Sequence, residues 1–161
     1  MDFFNQTGKL AIGSRLRMLT DKITVDAAAI YKMFGVDLKP KWFPVFFVLS
    51  RGEAKTITSI AKEIGHSHPS VSNIIKEMVA KGLVKETKDK SDGRRNMVML
   101  SAKGKRMSDS FSEQCIDVTA AIEQITQQTR NDLWEAIEEW ENLLLDKSLL
   151  ERVKEAKKER E

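Results

Sequence analysis

The chain has one cysteine, three prolines and two histidines in 161 residues, and no long apolar run. The lone cysteine, Cys115, excludes an intramolecular disulfide framework and suits a reducing compartment. Without about 20 consecutive apolar residues, no helical membrane span can form. The opening MDFFNQTGKL lacks a basic stretch followed by an apolar one, so no signal peptide is expected, and the expected location is cytoplasmic. His66 and His68 have no cysteine or acidic ligand at zinc spacing, so no metal site is expected. Ser/His/Asp sets, glycine-rich phosphate loops and paired catalytic carboxylates are missing too, so the chain reads as neither an enzyme nor a cofactor carrier. Cys115 falls on the apolar stripe of its own helix, which favours a buried structural thiol over a redox sensor.

What is present is charge, unevenly placed. The net charge is +3, but residues 52–106 hold 12 Lys/Arg against 6 Asp/Glu, a net of +6. Residues 107–161 hold 7 against 14, a net of −7, and residues 1–51 hold 8 against 4. The basic middle suits a polyanion, whereas phosphates would repel the acidic end. The hydrophobic share of 41% is enough for a real core.

The basic region reads as helix, turn, helix, hairpin. After a short extended piece at Thr56 and Ile57, Thr58 is placed to cap a helix carrying Ile60, Ala61 and Ile64, which Gly65 ends. Ser67 is placed to cap the next helix, and Pro69 fits its first turn, where a missing N–H costs little. Val71, Ile74, Ile75 and Met78 then form one apolar stripe, and Gly82 stops the helix. Its other face, with Pro69, Ser72, Asn73, Lys76 and Ala80, is small, polar and basic, so it can approach base edges. Asp92-Gly93 is a hairpin turn signal, with Lys88 and Lys90 before it and Arg94 and Arg95 after it. A hairpin tip this basic can reach phosphates or the minor groove. Each feature alone is compatible with core packing or solvated charge; their order points to DNA.

The segments SIAKEIG, SHPSVSNIIKEMVAKGLV, DKSDGRRN and VMLSAKGKRM resemble the DNA-binding core of the MarR family of bacterial transcriptional regulators. Asp92 and Arg94 fill that family's Asp-x-Arg wing pattern. The stretch from Gly13 to Ser50 is similar to the N-terminal part of members fused to GNAT-type acetyltransferases. With the sequence ending at Glu161, no acetyltransferase domain is expected. The resemblance implies a homodimer and a small-molecule effector held between the DNA-binding lobe and the dimer helices. Arg15, Arg17, Tyr31, Trp42 and Phe46 are the candidate lining; core packing of the aromatics is the competing reading.

Long amphipathic helices flank the lobe. Ile12, Leu16, Leu19, Ile23, Ala27, Ile30 and Phe34 predict a helix from about Gly8 to Phe34, stopped by Gly35. Pro40 breaks the chain, and a second helix is expected near Trp42 with Pro44 in its first turn. Ser101 is the expected cap of a helix with Met107, Phe111, Cys115, Val118, Ile122 and Ile125 on one stripe. Thr126 or Thr129 is the expected cap of another bearing Leu133, Trp134, Ile137, Trp140, Leu144 and Leu145. The last residues, from Ser148, are helix-prone with a charged end that frays. These stripes exceed what a small winged helix can bury, which suggests a dimer.

The expected architecture is therefore mainly α: a winged helix-turn-helix with a small β-hairpin wing and long dimerisation helices at both ends. Residues 1–51 are supporting helices, 52–106 the DNA-binding lobe and 107–161 the C-terminal dimerisation helices, within one structural domain. The expected function is sequence-specific recognition of double-stranded DNA by a ligand-responsive repressor, dimeric on a pseudo-palindromic operator. The recognition helix would act through Ser67, His68, Pro69, Ser70, Ser72, Asn73 and Lys76. The wing would act through Lys88, Lys90, Arg94 and Arg95, with Asp92 orienting an arginine and Lys55 a further backbone contact. The alternatives are a winged-helix module that binds a protein partner, or an enzyme-associated regulatory subunit.

Overall fold

The structure, a computed structural model, describes residues 2–88 and 96–160. Lys90, Asp92, Gly93, Arg94 and Arg95 lie outside the described residues. The chain forms two compact units, residues 1–115 and 116–161.

The first unit opens with α1 (Asp2–Thr7) and a 3₁₀ turn (Gly8–Ala11), followed by α2 (Ile12–Met33). The single helix expected from Gly8 is thus replaced by an earlier short helix and a later long one. Gly8 sits at φ +55°, outside the helical range, and interrupts the backbone there. Gly35 takes φ +66° just beyond α2, the left-handed stop expected of it. Tyr31 near the end of α2 is buried, while Ile12, Leu16, Leu19 and Ile23 are 40–59% exposed.

Pro40–Trp42 form a 3₁₀ turn leading into α3 (Phe43–Ser50), whose Pro44 lies in the first turn. The helix is apolar nearly all round and sinks into the core: Val45 and Phe46 are fully buried. Phe46 meets Phe111 edge-on, with ring centroids 4.8 Å apart. α4 (Ile57–Glu63) and α5 (His68–Ala80) follow, joined by a turn in which Gly65 takes φ +67°. α4 is capped by Thr56, not Thr58: Thr56 Oγ1 accepts from Ser59 N at 3.1 Å. Thr56 is the last extended residue, so the cap comes where the backbone turns helical.

β1 (Val84–Lys88) pairs antiparallel with β2 (Asn96–Leu100), from Val84 opposite Leu100 to Lys88 opposite Asn96. Lys55 adds a bridge on the other side of β2, exchanging both backbone hydrogen bonds with Val98 at 2.7 and 2.9 Å. α6 (Ala102–Gln128) starts at Ser101, whose Oγ accepts from Gly104 N at 3.0 Å as the expected cap. Ser101 also binds back, donating its N–H to Leu83 O and its hydroxyl to Gly82 O. The end of α5, both ends of the hairpin and the start of α6 therefore meet in one knot. A Cβ on Gly104 would stand 2.2 Å from Leu83 O, so only glycine allows this approach.

The second unit contains the end of α6, α7 (Leu133–Asp146) and α8 (Leu149–Lys158). The cap of α7 is Asp132, whose Oδ1 accepts from Trp134 N and Glu135 N, and not Thr126 or Thr129. Thr129 instead donates its hydroxyl to Thr126 O and Asn131 O, closing the end of α6. A carboxylate is the stronger acceptor at a helix start, which also favours its charge. α8 starts with a reciprocal Ser148/Glu151 capping box and is helical to Lys158. Arg152 ties it back by donating to Leu143 O and Lys147 O.

The Gly104→Ala variant is expected to lose about 1–3 kcal/mol, the usual cost of overpacking, because a backbone carbonyl must move. Gly13→Ala meets nothing within 4 Å in α2 and should be neutral or stabilising by up to about 1 kcal/mol. Urea unfolding of the two variants checks the contrast.

Candidate nucleic-acid interface

The interface is built on α5. Its stripe Val71, Ile74, Ile75 and Met78 is 0–7% exposed, so the helix is seated by four core side chains. Residues advance by about 100° along a helix, which turns Pro69, Asn73, Lys76 and Ala80 away from that stripe. All four are exposed. Ser70 and Ser72 are half-buried on opposite flanks, and Ser67 and His68 are exposed at the helix start.

The helix N-terminus is less free than its position implies. Ser67 Oγ accepts from Ser70 N at 3.4 Å, and Pro69 has no N–H. Of the first-turn donors, these two are unavailable to a phosphate. Asn73 and Lys76 remain free to project from the helix, an amide that could pair with adenine and an ammonium that could donate to guanine. Lys88 is exposed at the end of β1, opposite Asn96 of β2. Lys55 is otherwise engaged: its Nζ lies 2.7 Å from Glu63 Oε2, and Arg51 reaches the other oxygen at 3.6 Å.

One residue central to the geometry was not visible in the pattern. Glu77, on the flank of α5, accepts from Lys41 Nζ at 2.7 Å, Trp42 Nε1 at 3.0 Å and Lys39 Nζ at 3.4 Å. Trp42 is 1% exposed, so its indole N–H needs this acceptor. Hydrogen bonds from Lys41, then Trp42, then Lys39 hold the Glu77 carboxyl down at about 2. In sequence Glu77 looks like any solvated helix charge, because its three partners lie 35–38 residues away.

The five residues expected to hold an effector divide. Tyr31, Trp42 and Phe46 are buried in the core. Burial, then the nearby Cys115, pushes the Tyr31 phenol up to about 12. Arg15 and Arg17 are exposed on α2, with the Arg15 guanidinium 5.3 Å from the Phe4 ring centre. A groove of about 380 Å³ lies elsewhere, between Pro40–Pro44 and the Ser70, Asn73 and Glu77 flank of α5, with His66 in its wall. Among the described residues, no three His, Cys, Asp or Glu side chains could hold a metal, and no helix is long and apolar enough to cross a membrane.

The Glu77 bonds carry a pH signature. Its carboxyl lies below the ordinary 4.5, so its stabilisation is complete above that value and is lost as pH falls from 4.5 towards about 2. Glu77→Gln should lower Tm at pH 7, with the gap from wild type closing over that window. The effect is modest, since the side chain is 37% exposed and solvent screens it. Thermal melts at pH 7, 4 and 2.5 check this.

Residues 36–95 match the MarR family, a span that starts after α2 and ends at the wing. No curated protein matches the sequence. Among solved structures, overoxidised AbfR bound to DNA is 17% identical, with a TM-score of 0.65 over 91% of this chain and 98% of that one. The transcriptional repressor CouR bound to a 23-mer DNA duplex is 20% identical, with a TM-score of 0.63 over 86% and 96%. The PcaV transcriptional regulator of Streptomyces coelicolor, in complex with its natural ligand, is 13% identical, with a TM-score of 0.62 over 84% and 92%. Residues 36–95 are therefore similar to the MarR family, and the chain shares the fold of these solved structures.

Proposed function

We propose that the protein is a DNA-binding transcriptional regulator that acts as a homodimer on a pseudo-palindromic operator. The observation that carries this reading is the exposed Asn73 and Lys76 face of α5, held outward by a fully seated apolar stripe in a MarR family domain. The DNA-bound state of CouR and AbfR, which share the fold, supports it. Contacts from Lys88, Lys90, Arg94 and Arg95 complete the footprint on the wing side, with Asp92 orienting an arginine. Ser67, His68, Pro69 and Ser70 lie along the phosphate backbone, and Ser72 joins Asn73 and Lys76 at the base edges. Such a regulator works in the cytoplasm.

The dimer is supported by apolar surface that neither unit covers. On α7, Trp134 and Trp140 are 71% and 54% exposed, and Leu133, Leu143 and Leu144 41–56%. The first unit leaves the stripe of α2 open in the same way. Patches of this kind mark interaction surfaces. A two-fold pair would set recognition helices about 34–36 Å apart, one DNA turn. Repression and response to a small-molecule effector complete the proposal. CouR is a repressor, and PcaV holds its natural ligand.

Fluorescence anisotropy with DNA from upstream of the protein's own coding region, against a scrambled duplex, tests the reading. Wild type should prefer the native fragment. Asn73→Ala should lose about 1–3 kcal/mol of that preference. Arg94→Ala and Lys76→Ala should weaken binding. Equal weak binding to both duplexes, insensitive to Asn73, would point instead to a module for a protein partner. In sedimentation, wild type should run at twice the 18.3 kDa chain mass, and Trp140→Glu should shift it towards monomer.

A further inference from the structure

A groove beside α5 adjoins the proposed footprint. Its floor is the Ser70, Asn73 and Glu77 flank, and its opposite wall is Pro40–Pro44. Asn73 belongs both to the outward face and to this groove, so the two surfaces are continuous. Lys41 lies in the wall and Lys39 beside it, their side chains 57% and 55% exposed. Two ammonium groups share a single carboxylate there, which leaves one positive charge. Glu77 itself is bonded by three donors, so it does not present an unpartnered anion to the groove.

Size decides what would lie there. An α-helix with side chains is about 10–12 Å across, and the major groove is about 12 Å wide. A recognition helix that fills the groove meets a phosphate wall on each flank. We propose that the Pro40–Glu77 groove seats one sugar–phosphate strand of the bound duplex, with Lys39 and Lys41 on its phosphates while Asn73 reaches the bases. Charge complementarity and continuity through Asn73 carry the assignment, which rests on the DNA-binding reading above.

The test is the salt dependence of anisotropy titrations with the full chain on the native and scrambled duplexes. Removing one lysine from its phosphate lowers the slope of log K against log salt by about 0.9, so the K39A/K41A double variant should lose about 1.8. It should weaken both duplexes alike, because phosphates carry no sequence. Glu77→Gln keeps an oxygen for Trp42 and frees both ammonium groups, so it should bind several-fold tighter at low salt despite its lower Tm. An unchanged slope in the double variant, or weaker binding by Glu77→Gln, would overturn the assignment while leaving DNA binding intact. If the double variant fails to fold, Glu77→Gln decides alone. Wild type that binds neither duplex would remove the DNA reading itself, and this inference with it.

Discussion

The seating of α5 is the constraint on which the other features depend. Val71, Ile74, Ile75 and Met78 bury almost completely, each worth about 1.5–3 kcal/mol by burial of apolar area. Rotating the helix by one residue would expose part of that stripe and bury Asn73 or Lys76. The core therefore fixes which side chains face outward, and the polar face follows as a consequence of packing. Three tethers hold the seat. Ser67 caps the start, Glu77 binds one flank to Lys39–Trp42, and the Leu83, Ser101 and Gly104 knot closes the end.

Much of this was legible in the chain because it is local. The stripe spacing, the Ser67 and Ser101 caps and the glycine stops at Gly35, Gly65 and Gly82 all act within one or two helical turns. Each occurs where the pattern puts it. The misplaced caps are also local, but they are contests between similar residues. Position decides both: Thr56 and Asp132 are the last extended residues before their helices, whereas Thr58 lies inside α4, Thr126 inside α6, and Thr129 is bonded to the end of α6. What the sequence could not show is long-range. Glu77 finds partners across 35–38 residues, and Lys55 is taken by Glu63 through a turn of chain that brings them together. The wing residues Lys90, Asp92, Arg94 and Arg95 stand on sequence pattern alone.

The same distinction applies to the apolar stripes. Periodicity located them correctly on α2, α6 and α7, but it could not say which portions serve the fold and which face outward. On α2 the change comes late, with Tyr31 buried and Leu16 and Ile23 open. On α6, Phe111 is fully buried among α3 aromatics, whereas Ile122 and Ile125 are 57% and 64% exposed. A stripe that continues past the end of its own core is what a second copy would need.

Glu77 shows how stability and binding draw on the same charges. Its carboxylate accepts the N–H of a tryptophan that water cannot reach, so the fold gains from the negative charge. It also pairs with two exposed lysines, and on the proposed reading a phosphate brought near them would compete with it. A neutral residue would release the lysines but weaken the tie. The depressed Glu77 pKa follows from the same three donors. A site tuned for affinity alone would not keep this carboxylate. Its presence fits a regulator that has to release DNA as well as bind it.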